Sequence, residues 1–280
     1  MGCSAENLTW MRPVPSHRSL RRAAACLAVF AALVVPAPAA AIIDGQPDTT
    51  HTYVGTLVAD VPGYGAVAFC SGTLISATSF VTAGHCFTGL GGAPLLGVSF
   101  ALDPFSSSPP IGLVGIDDAH VYPGFALPDV FRDVAVVHLE TPVSGPYGAL
   151  PALGSLEPLK GEKPAGDVAF TVVGYGWQQF VPHSAGLGVR RFTTSRLQSF
   201  QYPTSPPGKG DASTNSLLKL QKMPGTQGTV CYSDSGGPLF YGATNVVSAI
   251  TVGGTKNCTG QHYGLRLDTM PVLSFLSLYV

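Results

Sequence analysis

The sequence predicts an all-β protein: two β modules in succession, closed by a short C-terminal helix. Three observations predict it. Apolar residues fall in short runs bounded by Gly, Pro, Asp and Ser, among them 53–58, 66–75, 80–83, 134–139, 168–173 and 246–252. Such runs, rich in β-branched and aromatic types, read as strands. No segment keeps a helical period until the end. There Asp268, Thr269, Met270 and Pro271 precede the apolar stretch 272–279, the pattern of a capped helix with proline in its first turn. Finally, the 280 residues include 34 Gly and 24 Pro, yet 45% are hydrophobic. That combination gives many turns around a sizeable core rather than disorder.

The modules divide at the polar, Pro-containing stretch 154–166. We therefore expect an N-terminal module over 42–153, a second over 154–267, and the helix over 268–280. Segments 104–112 and 202–215, rich in Ser, Pro or Gly, read as surface loops.

The first 41 residues read as a secretory leader. Arg12, Arg18, Arg21 and Arg22 precede an apolar run over 23–35, then Pro36 to Ala41 supplies an A-x-A cleavage site. The run is shorter than the roughly 20 residues that span a membrane. Met11 stands as an alternative start. Charged residues are 11% of the chain and the formal net charge is -1. No basic face is available to neutralise phosphates, so nucleic acid is excluded as a partner. After the leader, Cys70, Cys86, Cys231 and Cys258 remain. Four cysteines allow three connectivities, and local spacing favours Cys70–Cys86 and Cys231–Cys258. An even cysteine count fits an exported protein. No C-x-x-C pair or Cys/His cluster suggests zinc, and no metal or cofactor is expected.

Three separated segments carry candidate chemistry: Thr82-Ala83-Gly84-His85-Cys86, Asp133-Val134-Ala135-Val136, and Ser233-Asp234-Ser235-Gly236-Gly237-Pro238. A serine nucleophile needs a base, and the base needs a carboxylate to hold its tautomer. Ser235, His85 and Asp133 supply those types. Each alone has a plainer reading: a core histidine, a turn-capping aspartate, a turn serine. His51, His120, His138, His183 and His262 lack comparable context and read as surface or packing residues.

The three segments resemble the T-A-A-H-C, D-I-A-L and G-D-S-G-G-P segments of chymotrypsin-type serine proteases, in that family's order. The resemblance runs from Ile42 to the C-terminus. It implies two antiparallel six-stranded Greek-key barrels with a C-terminal helix and the active site in the cleft between them. It implies a secreted, monomeric endopeptidase acting on proteins or peptides, with no membrane association once the leader is removed. His85, Asp133 and Ser235 take the triad roles, and the amides of Ser233 and Ser235 form the oxyanion hole. Cys70, in a segment similar to C-G-G-S-L-I, pins the strand holding His85 through Cys86. Cys231–Cys258 clamps the pocket walls. Ile42-Ile43-Asp44-Gly45 resembles the family's mature N-terminus, so the Ile42 amine pairs with Asp234. No Lys or Arg precedes Ile42, so export alone is expected to expose it. Ser248 takes the place of the serine that supports the triad acid, with Ala249 where the family has tryptophan. Thr229, six residues before Ser235, takes the pocket floor and, being uncharged, disfavours Arg or Lys. Gly253, Gly254 and His262 remain alternatives for the pocket wall.

Ser233 departs from the family's glycine. A side chain there strains the turn by about 1–3 kcal/mol, and a misaimed amide costs roughly 10²–10³ in rate. The rival readings are an α/β-hydrolase, which needs G-x-S-x-G and the order Ser, Asp, His, and a protease-fold binding protein of weak or absent activity.

Overall fold

A computed structural model describes residues 41–88, 92–160, 168–178, 187–200, 216–223, 225 and 228–280. The leader and the loop at 202–215 lie outside the described residues. Among the described residues fourteen strands run in order: β1 (Gln46–Pro47), β2 (Val54–Val61), β3 (Gly65–Leu74), β4 (Ser79–Thr82), β5 (Leu95–Ser99), β6 (Leu113–Val114), β7 (Ile116–Val121), β8 (Ala135–Leu139), β9 (Ala169–Gly174), β10 (Arg191–Ser199), β11 (Leu217–Lys222), β12 (Pro238–Tyr241), β13 (Val247–Gly254) and β14 (Gln261–Arg266). Helix α1 spans Met270–Leu276.

They form two antiparallel sheets. The first has the order β6-β5-β2-β3-β4-β8-β7 and stays open between its end strands. The second closes on itself as β9-β10-β11-β14-β13-β12, with β12 pairing back onto β9. Closure removes the free strand edges of that barrel. Two departures from six strands apiece follow from short segments. The two-residue β6 extends the first sheet, and β1 adds to the second through Gln46 and Pro47 against Phe192 and Arg191. The N-terminal stretch therefore crosses to the second barrel before the first begins.

Buried apolar side chains fill both interiors, including Leu57, Phe80, Val98 and Val136 in the first and Phe170, Val172, Leu220 and Leu239 in the second. Buried polar bonds join the barrels. The Tyr175 hydroxyl donates to the carbonyls of Val54 (3.1 Å) and Ala101 (2.8 Å), and receives a bond from Arg190 (2.9 Å). Burial pushes the Tyr175 phenol well above its ordinary pKa, so it stays a neutral donor.

The start of the linker at Gly154 is anchored rather than loose. The Asp268 carboxylate accepts from Leu156 N and from Arg266 Nε and Nη2, each at 2.8 Å, and Arg266 also reaches Glu157. Helix α1 has no side-chain cap. Thr269 has extended cap geometry but no capping bond, and Pro271 occupies the first turn as predicted. The helix is shorter than the apolar pattern, and it buries Val272, Phe275 and Leu276. Phe275 packs on Tyr122 beside the first barrel, 5.1 Å between ring centroids.

Candidate active site

Strands β4 and β8 pair through Thr82 and Ala135. His85 follows β4 in a 3-10 turn over Gly84–Phe87, and Asp133 immediately precedes the strand entry at Val134 and β8. Adjacent antiparallel strand ends thus bring the two together. The Asp133 carboxylate is fully buried and accepts from His85 N at 2.7 Å and from His85 Nδ1 at 2.6 Å. With Nδ1 donating, Nε2 is left with a lone pair and can act as a base. The turn is held from behind by the Cys70–Cys86 disulfide. That bond spends both thiols, so their closeness to His85 makes no metal site.

Ser235 lies in the loop leading into β12. It shares a cavity of about 340 Å³ with His85, and the wall includes Val230, Cys231, Tyr232, Thr251, Val252, Gly253 and Gly254. Among the described residues the Ser235 hydroxyl makes no hydrogen bond, to His85 or otherwise. Catalytic contacts of this kind commonly tighten only when substrate arrives. The amides of Ser233 and Ser235 likewise donate to no acceptor among the described residues.

Ser233 has φ 71°, the left-handed conformation that favours glycine. Two bonds compensate. Its hydroxyl donates to Ala68 O at 3.4 Å, and its carbonyl accepts from Ser71 Oγ at 2.9 Å. Ser71 is the positioning residue that the sequence did not single out. Its backbone N–H donates to Ser235 O at 2.8 Å, and its Oγ accepts from Tyr175 N at 2.9 Å. One residue of the first barrel therefore holds the nucleophile loop of the second. Its only signal in the sequence is its place beside Cys70. At Gly236, φ is 79° and a Cβ would run into Ser71 O and Thr82 Oγ1, so glycine is required there.

Asp234 is fully buried and accepts from Cys231 N and Gly176 N, each at 2.8 Å. A Cβ on Gly176 would stand 2.5 Å from that carboxylate. Burial pushes the Asp234 pKa up to about 7, against the lowering effect of the two amides. Among the described residues it has no ion-pair partner. Ile42 is fully buried nearby in the chain path: Ile43 bridges to Thr229, with Thr229 N donating to Ile43 O at 3.0 Å. No bond joins Ile42 to Asp234 while residue 41 precedes it.

One pocket assignment needs correction. Ser248 does not line the cavity and makes no hydrogen bond to Asp133. Strand β12 starts at Pro238, opposite Ile250. A residue abreast of Ser235, which lies before β12, must therefore lie beyond Ile250 on the antiparallel strand. That residue is Thr251, whose carbonyl accepts from Gly236 N at 2.7 Å. The position after it is Val252, not Ala249. Thr229 is 6% exposed and directly precedes Val230, which lines the cavity. Gly253 and Gly254 belong to the wall. His262 does not: it is buried opposite Gly254 on β14, with neither ring nitrogen bonded among the described residues, and burial lowers its pKa to about 4. The second disulfide, Cys231–Cys258, closes the cavity wall as expected.

Two barrels with an acid-paired histidine facing a serine across one cavity describe a serine protease of the chymotrypsin type. The comparisons agree. The family model described as Trypsin matches residues 42–273, and the chain belongs to that family. It is a serine endopeptidase, and its substrates are proteins or peptides. The solved structure of HL collagenase is similar in fold, with a TM-score of 0.61 and 18% identity over 84% of this chain and 96% of that one.

Proposed function

We propose that Ser235, His85 and Asp133 form the catalytic triad of a secreted endopeptidase. The bond between His85 Nδ1 and the buried Asp133 carboxylate carries this reading. His85 Nε2 takes the Ser235 proton as Oγ attacks the scissile carbonyl, then delivers it to the leaving amine. Asp133 keeps the imidazole oriented and balances its transient charge. The unspent amides of Ser233 and Ser235 receive the oxyanion. Water repeats the sequence on the acyl-enzyme and frees Ser235.

The leader and the two disulfides support secretion, and the processed enzyme acts as a monomer. Release of the leader creates an ammonium at Ile42 to pair with Asp234, which orders the loop carrying both amides. Among the described residues lining the cavity there is no carboxylate, and Lys256 is the one lysine or arginine. A cationic substrate side chain therefore finds no counter-charge, and the enzyme prefers uncharged or acidic residues at the scissile position.

The test is labelling of the secreted protein with a fluorophosphonate probe, beside Ser235→Ala, followed by casein digestion. Labelling confined to the unaltered protein, with proteolysis, is expected. Correctly processed protein that neither labels nor digests casein would establish a binding module instead. N-terminal sequencing checks the start at Ile42.

A further inference from the structure

Away from the cleft, Asp118 and His120 share one face of β7, two residues apart, and His138 on β8 is the cross-strand partner of Asp118. This register gathers two imidazoles around one carboxylate. Asp118 Oδ2 lies 2.9 Å from His120 Nε2, and Oδ1 lies 2.8 Å from His138 Nδ1. All three groups are partly exposed, so the cluster is open to solvent.

We propose that Asp118, His120 and His138 bind a divalent cation of the zinc class. Two observations carry this. The donor atoms lie within 4.8 Å of one another. Ligands of a tetrahedral zinc ion stand roughly 3.4 Å apart at its usual bond lengths, so side-chain rotation alone can close the site. The second observation is the other nitrogen of His138. Nε2 lies 3.3 Å from the Tyr279 carbonyl, so both ring nitrogens face oxygen acceptors. A neutral imidazole has a single N–H. With Nε2–H donated to Tyr279 O, the Nδ1 lone pair points at the cluster, where a bound cation can accept it. Histidine ligands are characteristically fixed in this way, by donating the second nitrogen to a backbone carbonyl.

Two imidazoles and one carboxylate select zinc, copper or nickel over calcium or magnesium, which prefer all-oxygen shells. A fourth position stays open to water. The bound ion would also fasten the end of the chain. His120 stacks on the Tyr279 ring at 4.2 Å between centroids, and Ser79 Oγ donates to Tyr279 O at 2.6 Å. Strand β8, which carries His138, begins just after Asp133, so the ion would stiffen the strand that leads out of the active site.

The experiment uses purified protein carrying Ser235→Ala, which cannot digest itself, stripped with a chelator and titrated with zinc chloride by calorimetry. One zinc per chain and a raised Tm are expected, with no response to calcium or magnesium chloride. His120→Ala and His138→Gln should each weaken zinc binding by at least about 10-fold. Circular dichroism confirms that each variant is folded, and the glutamine can still donate to Tyr279 O. His85→Ala should leave zinc binding unchanged. Zinc affinity unaltered in both folded β7 and β8 variants, loss of binding in His85→Ala, or no zinc uptake at all would each overturn the proposal.

Discussion

A chain in which Ala41 still precedes Ile42 should be less stable than one beginning at Ile42, and only above acidic pH. Asp234 supplies the reason. Its carboxyl is wholly buried, and burial pushes its pKa up to about 7 from the ordinary 3.8. Each unit of such a shift corresponds to about 1.4 kcal/mol, so the buried carboxylate costs about 4 kcal/mol once ionised. A raised acid pKa means that the folded state holds the proton more tightly than the unfolded one. The stability is therefore full below about pH 4 and falls as pH rises to about 7. An ammonium at Ile42 offsets the buried charge, and the fall should vanish. The assay is urea unfolding of the two forms from pH 4 to 7.5, both carrying Ser235→Ala. The expected difference is near zero at pH 4 and up to about 4 kcal/mol at pH 7.5. The buried His262 gives an opposite trend in both forms and cancels in the difference. Parallel pH profiles for the two forms would refute the pairing of Ile42 with Asp234.

Three further outcomes are expected. Ser233→Gly removes a left-handed side chain, so the unfolding free energy from urea titration should rise by up to about 1 kcal/mol with kcat/KM kept or increased; a tenfold fall in kcat/KM would make Ser233 an adaptation. Asp268→Asn removes the buried carboxylate that pairs with the Arg266 guanidinium, and should cost about 3 kcal/mol, or roughly 10 °C in Tm by calorimetry. His262→Met should flatten the acid limb of the stability profile. Because the folded pKa of about 4 lies below the ordinary 6.5, protonation costs the native protein about 3 kcal/mol as pH falls through that window; an unchanged acid limb in the variant would show that His262 is not its source.

Much of the site was legible because its chemistry is local. His85, Asp133 and Ser235 each sit in a short segment whose neighbours have their own jobs: a disulfide, a strand entry, a glycine turn. Strand periods were legible in β2, β3, β4 and β8 for the same reason, since alternation and turn residues are properties of a few consecutive positions. Ser248 was misplaced because locating it needs the register between β12 and β13, which no single strand contains. Ser71 was missed because its partners, Ser233, Ser235 and Tyr175, are more than a hundred residues away. The helix cap failed likewise: Thr269 stands at the cap position with extended geometry, but its side chain makes no capping bond.

The sequence by itself determined which residue types were available: a serine, a histidine and a buried-type aspartate in family order, two pairs of cysteines, and an uncharged pocket segment. The tertiary structure alone decided what each faces. It turned Asp133 onto His85, put Thr251 rather than Ser248 beside the nucleophile loop, and drew Asp118, His120 and His138 into one cluster. The physical reason is that hydrogen bonds and burial depend on distances across the sheets. Those distances follow from strand register and barrel closure, which belong to the whole chain rather than to any stretch of it.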